Sequence, residues 1–392
     1  MISIGWPGAA IGVLVALGCA ELGARWWIRR HSRCYVWPPG LRMDLRIDRE
    51  TFPQLERTIR FDVNTDGERG SEVRAGKEGL YRVLVAGGSP VESLFLDQAT
   101  CWPGALERLL DTPENLRSLA ARAVHVGGIG RSGIASEDLD LILQRVLPQY
   151  GRLNASLIMV GGNDVFNWLA DSAPAVVRSS PIPLARVFAW HPEERFGWAP
   201  QRWGIGRILA RFRRVWLRPR EILERAGAWV ADARKMRARA AEIRTSTPDP
   251  AEMLAHFEHH FRRIIQTAGE YSDRVLIVRQ PWFEKDYTPE EVGHLWHGGA
   301  GDAWKEPITA YYSFEVVNRL MGLVDARAVE IANALGVEHL DIRAVLEPSL
   351  TNYYDSVHFT PAGSAVVART VASALIARRP PSAASAGRSP PA

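Results

Sequence analysis

Ser89 is the residue whose type and position best suit nucleophilic chemistry. It follows an apolar run at residues 81–86 and two glycines, so its hydroxyl is expected at the carboxyl end of a buried strand. A serine hydroxyl is barely ionised at neutral pH and needs a base before it can attack a carbonyl carbon. His358 is the candidate base, and Asp355, three residues earlier, can accept the second imidazole proton. Together these residues predict acyl transfer through a covalent intermediate.

An acyl-transfer site also needs hydrogen-bond donors for the negative charge that develops on the carbonyl oxygen. The backbone amides of Ser89 and Gly130 and the side-chain amide of Asn163 would supply three donors. Each motif has a commoner structural interpretation when it is taken alone, namely a tight turn, a phosphate-binding loop or a helix cap. Both Gly130 and Asn163 follow predicted strands, as Ser89 does, and this shared position favours a single site.

Five short apolar runs predict β-strands, and segments with helical periodicity separate them. The predicted strands are residues 81–86, 123–126, 157–160, 274–278 and 337–341. The predicted helices are residues 103–110, 137–146, 313–335 and 361–377. This alternation predicts an α/β protein with a five-stranded parallel sheet between two helical layers. Ligands of such sheets bind beyond the carboxyl ends of the strands, where the candidate residues are expected.

Four segments, taken in order, resemble the sequence blocks of the SGNH hydrolases, also called the GDSL esterase/lipase family. The segments are residues 87–89, 125–130, 161–164 and 355–363. The resemblance covers about residues 80–170 and 270–376, and it implies a three-layer, flavodoxin-like SGNH hydrolase fold. It also implies that Ser89 is the nucleophile. Two positions depart from the family pattern: Gly88 replaces the usual Asp and His125 replaces the usual Asn, and neither change removes a catalytic role.

The resemblance implies a serine esterase that hydrolyses a carboxylic ester, such as an O-acyl group on an envelope glycan or lipid. An O-acyltransferase acting on envelope polysaccharide with the same residues, and a non-catalytic envelope module, remain alternatives. We expect neither a cofactor nor a metal ion. Glu92, Arg131 and His297 are candidate substrate contacts, and residues of plain solvated loops are the alternative interpretation. His294 and His297 form a metal-like pair, but no Cys or carboxylate is placed to complete a metal site.

The first 20 residues carry no charged side chain, and about 20 apolar residues cross a bilayer. We expect an uncleaved transmembrane anchor over residues 1–30; a cleaved signal or lipoprotein leader and a buried core helix are the alternatives. The arginines that follow, from Arg25 to Arg33, favour a cytoplasmic body by the positive-inside rule. The segment Glu21 to Arg25 and residues 64–70 resemble parts of membrane-anchored family members. That resemblance favours a catalytic domain on the extracytoplasmic side, and this is the orientation we expect.

The remaining chain divides into a linker and pre-core segment at residues 31–80, the hydrolase domain at 81–377 and a disordered tail at 378–392. A helical insertion is predicted over about residues 171–265. The net charge of +4 is concentrated there, because residues 171–245 hold 16 Lys and Arg against 7 Asp and Glu. Residues 205–216 predict a basic amphipathic helix that either packs on the domain or forms a lid or membrane contact.

No nucleic-acid-binding module is recognised. Three cysteines exclude a disulfide framework, and oligomeric state is open.

Overall fold

A computed structural model describes residues 6–73, 78–177, 181–197, 199–216 and 219–377. The segment 378–392, predicted to be a disordered tail, lies outside the described residues.

Five of the strands form one parallel sheet at the centre of the molecule. Its order is β4-β3-β5-β7-β9, so the predicted five-stranded parallel sheet is confirmed. The strands are β1 Arg42–Arg46, β2 Thr58–Asp62, β3 Leu80–Gly87, β4 Ala123–Gly128, β5 Leu153–Met159, β6 Glu242–Arg244, β7 Ser272–Arg279, β8 Ala310–Tyr312 and β9 Glu338–Asp341. Counting only the central strands, the order is 2-1-3-4-5, the flavodoxin-like arrangement. Successive strands are added on one side of β3 up to β4 and on the other side from β5 onward. The boundary between β3 and β5 is therefore the topological switch point, where such sheets bind ligands.

Helices cover both faces of the central sheet, which confirms the predicted three-layer α/β/α architecture. The helices are α1 Trp6–His31, α2 Ser89–Glu92, α3 Trp102–Leu110, α4 Pro113–Ser118, α5 Ser136–Val146, α6 Gly162–Ala170, α7 Leu184–Val187, α8 Gly204–Trp216, α9 Pro219–Ala238, α10 Ala251–Tyr271, α11 Pro289–His294, α12 Phe314–Ala334 and α13 Pro361–Ile376. One face of the sheet packs against α5, α6, α10 and α12, and the other packs against α3 and α13.

The strand β3 shows why the middle of a central strand is a continuous apolar run. Its residues Leu84 and Ala86 belong to the core under one helical layer, whereas Val83 and Val85 belong to the core under the other. Since successive side chains of a strand point to opposite faces, a strand covered on both sides favours apolar residues at successive positions. This requirement produces the continuous apolar run that the sequence analysis used.

The prediction for the third strand was wrong at its start. The strand β5 begins at Leu153, not at residue 157, and ends at Met159. Two polar residues interrupt its apolar pattern, and the structure gives both of them partners. The Asn154 side-chain oxygen accepts a hydrogen bond from the backbone of Arg82 at 2.8 Å, and the Ser156 hydroxyl lies 2.6 Å from that of Ser272. Because buried polar groups with partners are tolerated, the strand extends through them.

The segment before β3 is folded onto the domain. The strands β1 and β2 pair antiparallel, and their inner side chains share a core with Phe52, Phe95 and Tyr354. Arg69, which also belongs to this segment, exchanges backbone hydrogen bonds with Gly128 at the end of β4. The pre-core segment therefore packs directly against the carboxyl ends of the central strands.

The helix α1 contains an apolar stretch, Ala10–His31, that is long and apolar enough to cross a membrane. Its final turns contact α8, the basic amphipathic helix. The Glu21 carboxylate accepts backbone hydrogen bonds from Gly204 at 2.7 Å and Ile205 at 3.1 Å, and so caps the start of α8. Farther along α8, the Arg211 guanidinium donates to the Ser32 hydroxyl at 2.6 Å. The helix α8 therefore lies alongside the apolar helix.

The range predicted as an insertion contains one helix of the main domain. The helix α10 begins at Ala251, and its Phe257 and Phe261 are buried between the sheet, α5 and α12. The part of this range before residue 251 contains the helices α7, α8 and α9.

Candidate active site

The sharp turn after β3 presents Ser89 at the carboxyl edge of the sheet. Gly87 ends the strand so close to β5 that an added Cβ would lie 2.0 Å from the Met159 carbonyl oxygen. Only glycine fits there without moving the neighbouring strand. Gly88 follows, and Ser89 is the first residue of the short helix α2. The Ser89 side chain is partly exposed, so its hydroxyl is accessible from outside.

Ser89, His358 and Asp355 form a continuous hydrogen-bonded chain. The Nε2 of His358 lies 2.7 Å from the Ser89 Oγ, and its Nδ1 lies 2.8 Å from both carboxylate oxygens of Asp355. A carboxylate only accepts hydrogen bonds, so Nδ1 carries the proton and Nε2 offers its lone pair to the hydroxyl. This is the tautomer that a general base needs in order to take the serine proton.

The Asp355 carboxylate is completely buried and is kept ionised by hydrogen-bond donors. The backbone amides of Val357 and His358 each donate to Oδ1 at 3.0 Å, and the Trp296 indole donates to Oδ2 at 3.1 Å. Burial alone would raise its pKa, but the charge and hydrogen bond of His358 and the backbone amide of Val357 hold the pKa of Asp355 well below its usual range. The carboxylate can therefore stabilise a positive charge on the His358 imidazole.

Two aromatic rings limit the movement of His358. The Tyr354 ring stacks on the imidazole with a centroid distance of 5.4 Å and an interplanar angle of 7°. The His297 ring lies 5.8 Å away and stacks in turn on Trp296 and Phe166. Burial lowers the pKa of His297 to about 3, so its ring is neutral at physiological pH. The predicted substrate contact His297 thus lies beside the base, within the wall of the site.

Gly130 and Asn163 lie next to the nucleophile turn. An added Cβ on Gly130 would lie 2.2 Å from the backbone nitrogen of Glu92, so the loop after β4 is pressed against α2. An added Cβ on Gly88 would lie 3.1 Å from the Nδ2 of Asn163, and this nitrogen donates a hydrogen bond to the Ile134 carbonyl at 2.8 Å. The structure therefore brings both proposed oxyanion donors to the turn that carries the nucleophile.

Glu92 and Arg131, the other two predicted substrate contacts, have protein partners in this structure. The buried Glu92 carboxylate accepts a hydrogen bond from the Ser132 hydroxyl, and burial raises its pKa. The Arg131 guanidinium donates to the Val187 carbonyl at 3.1 Å. These two bonds join the loop after β4 to α2 and to the end of α7.

His125, the residue that departs from the family pattern, belongs to a buried charged network. Its Nε2 lies 2.8 Å from Glu68 Oε2, and the other carboxylate oxygen accepts from Arg82 at 3.0 Å. Burial raises the pKa of Glu68, but the hydrogen bond and charge of His125, together with the charge of Arg82, lower it to about 2. The network joins the pre-core segment to β3 and β4 below the catalytic edge.

Two tryptophans near the site were missed by the sequence analysis. Trp296 donates to the triad carboxylate, as described, and the Trp37 indole donates to the Gly130 carbonyl oxygen at 2.9 Å. Neither lies within a recognised block. The only sequence signal was the position of Trp296 beside His297, which had been singled out for its own side chain.

The insertion supports the loop that carries the base. From α9, the Arg234 guanidinium donates to the Tyr354 carbonyl at 2.8 Å and to the His294 carbonyl at 3.2 Å. Arg237, one turn later, donates to the Tyr312 carbonyl at 3.0 Å. This helix thereby connects the triad loop to the loop that carries Trp296.

Two groups of three side chains among the described residues could supply ligands to a metal ion. One is His297, Asp355 and His358, which overlaps the triad. The other is Glu137, His256 and His260, on the helices α5 and α10.

Solved structures with a similar arrangement include esterases and lipolytic proteins. The acetylxylan esterase Axe2 from Geobacillus stearothermophilus is 14% identical with a TM-score of 0.39, over 76% of this chain and 95% of that one. A lipolytic protein of the G-D-S-L family from Veillonella parvula is 8% identical with a TM-score of 0.39, over 76% and 100%. The hydrolase LAE5 from the Lake Arreo metagenome is 13% identical with a TM-score of 0.39, over 76% and 97%. No protein-family model and no curated protein matches the sequence. At these identities and TM-scores the likeness assigns no activity.

Proposed function

We propose that the protein is a serine esterase of the SGNH type, with Ser89 as nucleophile. The observation that carries this proposal is the hydrogen-bonded chain from Ser89 through His358 to Asp355, with contacts of 2.7 and 2.8 Å. Two sequence segments converge on this geometry at the ligand-binding edge of the sheet, although Ser89 and His358 are 269 positions apart. A structural serine in a tight turn needs neither a base nor a buried carboxylate behind that base.

In the first half of the reaction, the Ser89 Oγ attacks the carbonyl carbon of the ester while His358 Nε2 takes the hydroxyl proton. The carbonyl oxygen becomes negative, and the Ser89 and Gly130 amides with the Asn163 side chain supply hydrogen bonds to it. Collapse of the tetrahedral intermediate breaks the ester C–O bond, and the imidazolium returns its proton to the departing alkoxide. The products are the free alcohol and an acyl group on Ser89.

In the second half, a water molecule replaces the alcohol. His358 Nε2 takes a proton from the water as its oxygen attacks the acyl carbon, and the same donors hold the new negative oxygen. Collapse then releases the carboxylic acid and returns the proton to the Ser89 Oγ. Asp355 stays ionised throughout and stabilises the imidazolium in both halves, in agreement with its depressed pKa.

We further propose that the substrate is an O-acyl group on a glycan or lipid of the cell envelope, and that α1 anchors the enzyme to the membrane with the body on the extracytoplasmic side. The support for the membrane anchor is the apolar stretch Ala10–His31 and its capping contact with α8. Exposed apolar side chains on these two helices, including Trp26 and Phe212, suit a lipid boundary. A phosphatase or fluorescent-protein fusion at the C-terminus reports the side: phosphatase activity is expected, and cytoplasmic fluorescence alone would contradict the orientation.

Turnover of a small activated acetyl ester tests the enzymatic proposal. The detergent-solubilised full chain is expected to release the alcohol catalytically, and Ser89→Ala is expected to abolish release while keeping the wild-type circular dichroism spectrum. Ser132→Ala is a matched control, because this nearby serine hydroxyl contacts Glu92 and not His358. Equal turnover by wild type and Ser89→Ala would refute the assignment of the nucleophile.

A further inference from the structure

Three metal-ligating side chains outside the catalytic site converge between α5 and α10. Glu137 lies in the first turn of α5, and His256 and His260 are one turn apart on α10, so they share a face of that helix. One ligand atom from each residue lies within 4.8 Å of the ligand atoms of the other two. Two histidines at i and i+4 facing a carboxylate are a ligand set that zinc ions take in proteins.

The spacing of two of these atoms already fits a metal ion. The His256 Nε2 lies 3.3 Å from the Glu137 Oε2. Two ligands at about 2.0–2.1 Å from a tetrahedral zinc ion are separated by roughly 3.4 Å. An ion between them therefore needs little movement of either side chain.

The third ligand has its ring orientation determined by a second carboxylate. The His260 Nδ1 lies 2.9 Å from Asp140 Oδ2, and because that carboxylate accepts the Nδ1 proton, the Nε2 lone pair is available to a metal. Asp140 is itself buried. Its Oδ2 lies 2.9 Å from the Arg263 Nε, and its Oδ1 accepts a hydrogen bond from the Gln144 Nε2 at 2.5 Å. Metal-bound histidines almost always donate their other ring proton to a carboxylate or carbonyl in this way.

The ligands are also largely shielded from solvent. The side chains of His256, His260 and Glu137 are 18%, 13% and 26% exposed, so ions enter from solvent while the donors stay ordered.

We propose that Glu137, His256 and His260 bind a divalent transition-metal ion, with zinc as the best fit, and that water completes its coordination. The site lies at the start of α5, directly after the loop that carries Gly130. Ser136, next to Glu137, donates its backbone N–H to the Asp164 carboxylate at 3.1 Å, one residue from Asn163. The ion would thus link α10 to the base of the proposed oxyanion loop.

The test is a metal titration of the untagged full chain in detergent after treatment with a chelator. Cobalt(II) alone is added first, since its visible absorption reports tetrahedral coordination, and zinc(II) is then used to displace it. We expect one ion per chain at this site, and a higher unfolding temperature when it is bound. We expect His256→Ala and His260→Ala each to weaken binding by at least 100-fold, and Asp140→Asn by about 10–100-fold. His259→Ala, which changes an exposed histidine of the same helix, should bind as the wild type does.

Binding that persists unchanged in both His256→Ala and His260→Ala would place the ion elsewhere, for example at the triad, and would overturn the proposal. The absence of saturable binding by the folded wild-type chain would do the same. Circular dichroism of each variant shows whether lost binding reflects lost ligands in a folded chain. Because every readout is metal binding or thermal unfolding, the result does not depend on the proposed esterase activity.

Discussion

Replacing Trp296 with Phe removes the indole donor to the triad carboxylate and keeps an aromatic ring in its place. The indole is the donor from outside the triad loop that reaches Asp355 Oδ2, at 3.1 Å. A hydrogen bond to a charged group contributes about 1.5–3 kcal/mol. The loss acts on kcat because the indole fixes the orientation of the carboxylate behind the base. Since the backbone amides of Val357 and His358 still hold Oδ1, we expect the lower end of that range, a roughly tenfold decrease in kcat.

The same substitution should change the pH dependence in a defined direction. Without the indole proton, the Asp355 carboxylate concentrates more negative charge beside the imidazole and favours its protonated form. The base must be unprotonated to act, so the acid limb of the kcat/KM profile is expected to move to higher pH. KM should change little, because the indole N–H is used in the bond to Asp355 and is not offered to a substrate.

Steady-state kinetics with a small activated ester across the pH range measure both effects. Trp304→Phe is the matched control: Trp304 is an exposed tryptophan that stacks on Trp229 at 3.6 Å and has no contact with the carboxylate. A Trp296→Phe variant with wild-type kcat and an unmoved acid limb would refute the positioning role of the indole. If Trp296 had a purely structural role, the substitution would lower the unfolding temperature without moving the acid limb of the pH profile.

Three further substitutions test the surroundings of the nucleophile. Asn163→Ala should lower kcat by roughly 10²–10³-fold through loss of an oxyanion donor, measured in the same ester assay. Gly130→Ala places a methyl group 2.2 Å from the Glu92 backbone nitrogen, so we expect about 1–3 kcal/mol of destabilisation in urea unfolding; a wild-type midpoint would count against the close packing. Glu68 has a folded-state pKa of about 2, below its ordinary 4.5, so its ionised form stabilises the fold by about 3 kcal/mol above pH 4.5. This stability is lost as the pH falls from about 4.5 towards 2, and Glu68→Gln should flatten the free energy of unfolding across that window.

The sheet and the catalytic edge could be predicted from sequence because both leave local signals. A strand covered on two faces favours a continuous apolar run, as residues 83–86 of β3 show, and the close approach of β5 requires Gly87. Ser89, Gly130 and Asn163 each follow such a strand directly, so the common edge of a parallel sheet brings them together. Asp355 and His358 are three residues apart in one tight loop, and their pairing is local.

Contacts between distant segments leave no comparable signal. Trp296 reaches Asp355 across 59 positions, and the Glu21 carboxylate caps α8 across 183. Nothing in the composition of either segment identifies its partner. The boundary of the insertion depends in the same way on tertiary packing, because only burial against α5 and α12 shows that α10 belongs to the domain. Polar residues within β5 concealed its first half because their hydrogen-bond partners lie on neighbouring strands.

Labelling with a fluorophosphonate tests the central claim most directly, because the probe reports an activated serine without requiring the natural substrate. The full chain in detergent is treated with the probe, digested, and the modified peptide is identified by mass spectrometry. We expect one adduct, on Ser89, that disappears in Ser89→Ala and forms much more slowly in His358→Ala, since the base is 2.7 Å from the hydroxyl. A folded wild-type chain that stays unlabelled, or that carries its adduct on another serine, would contradict it.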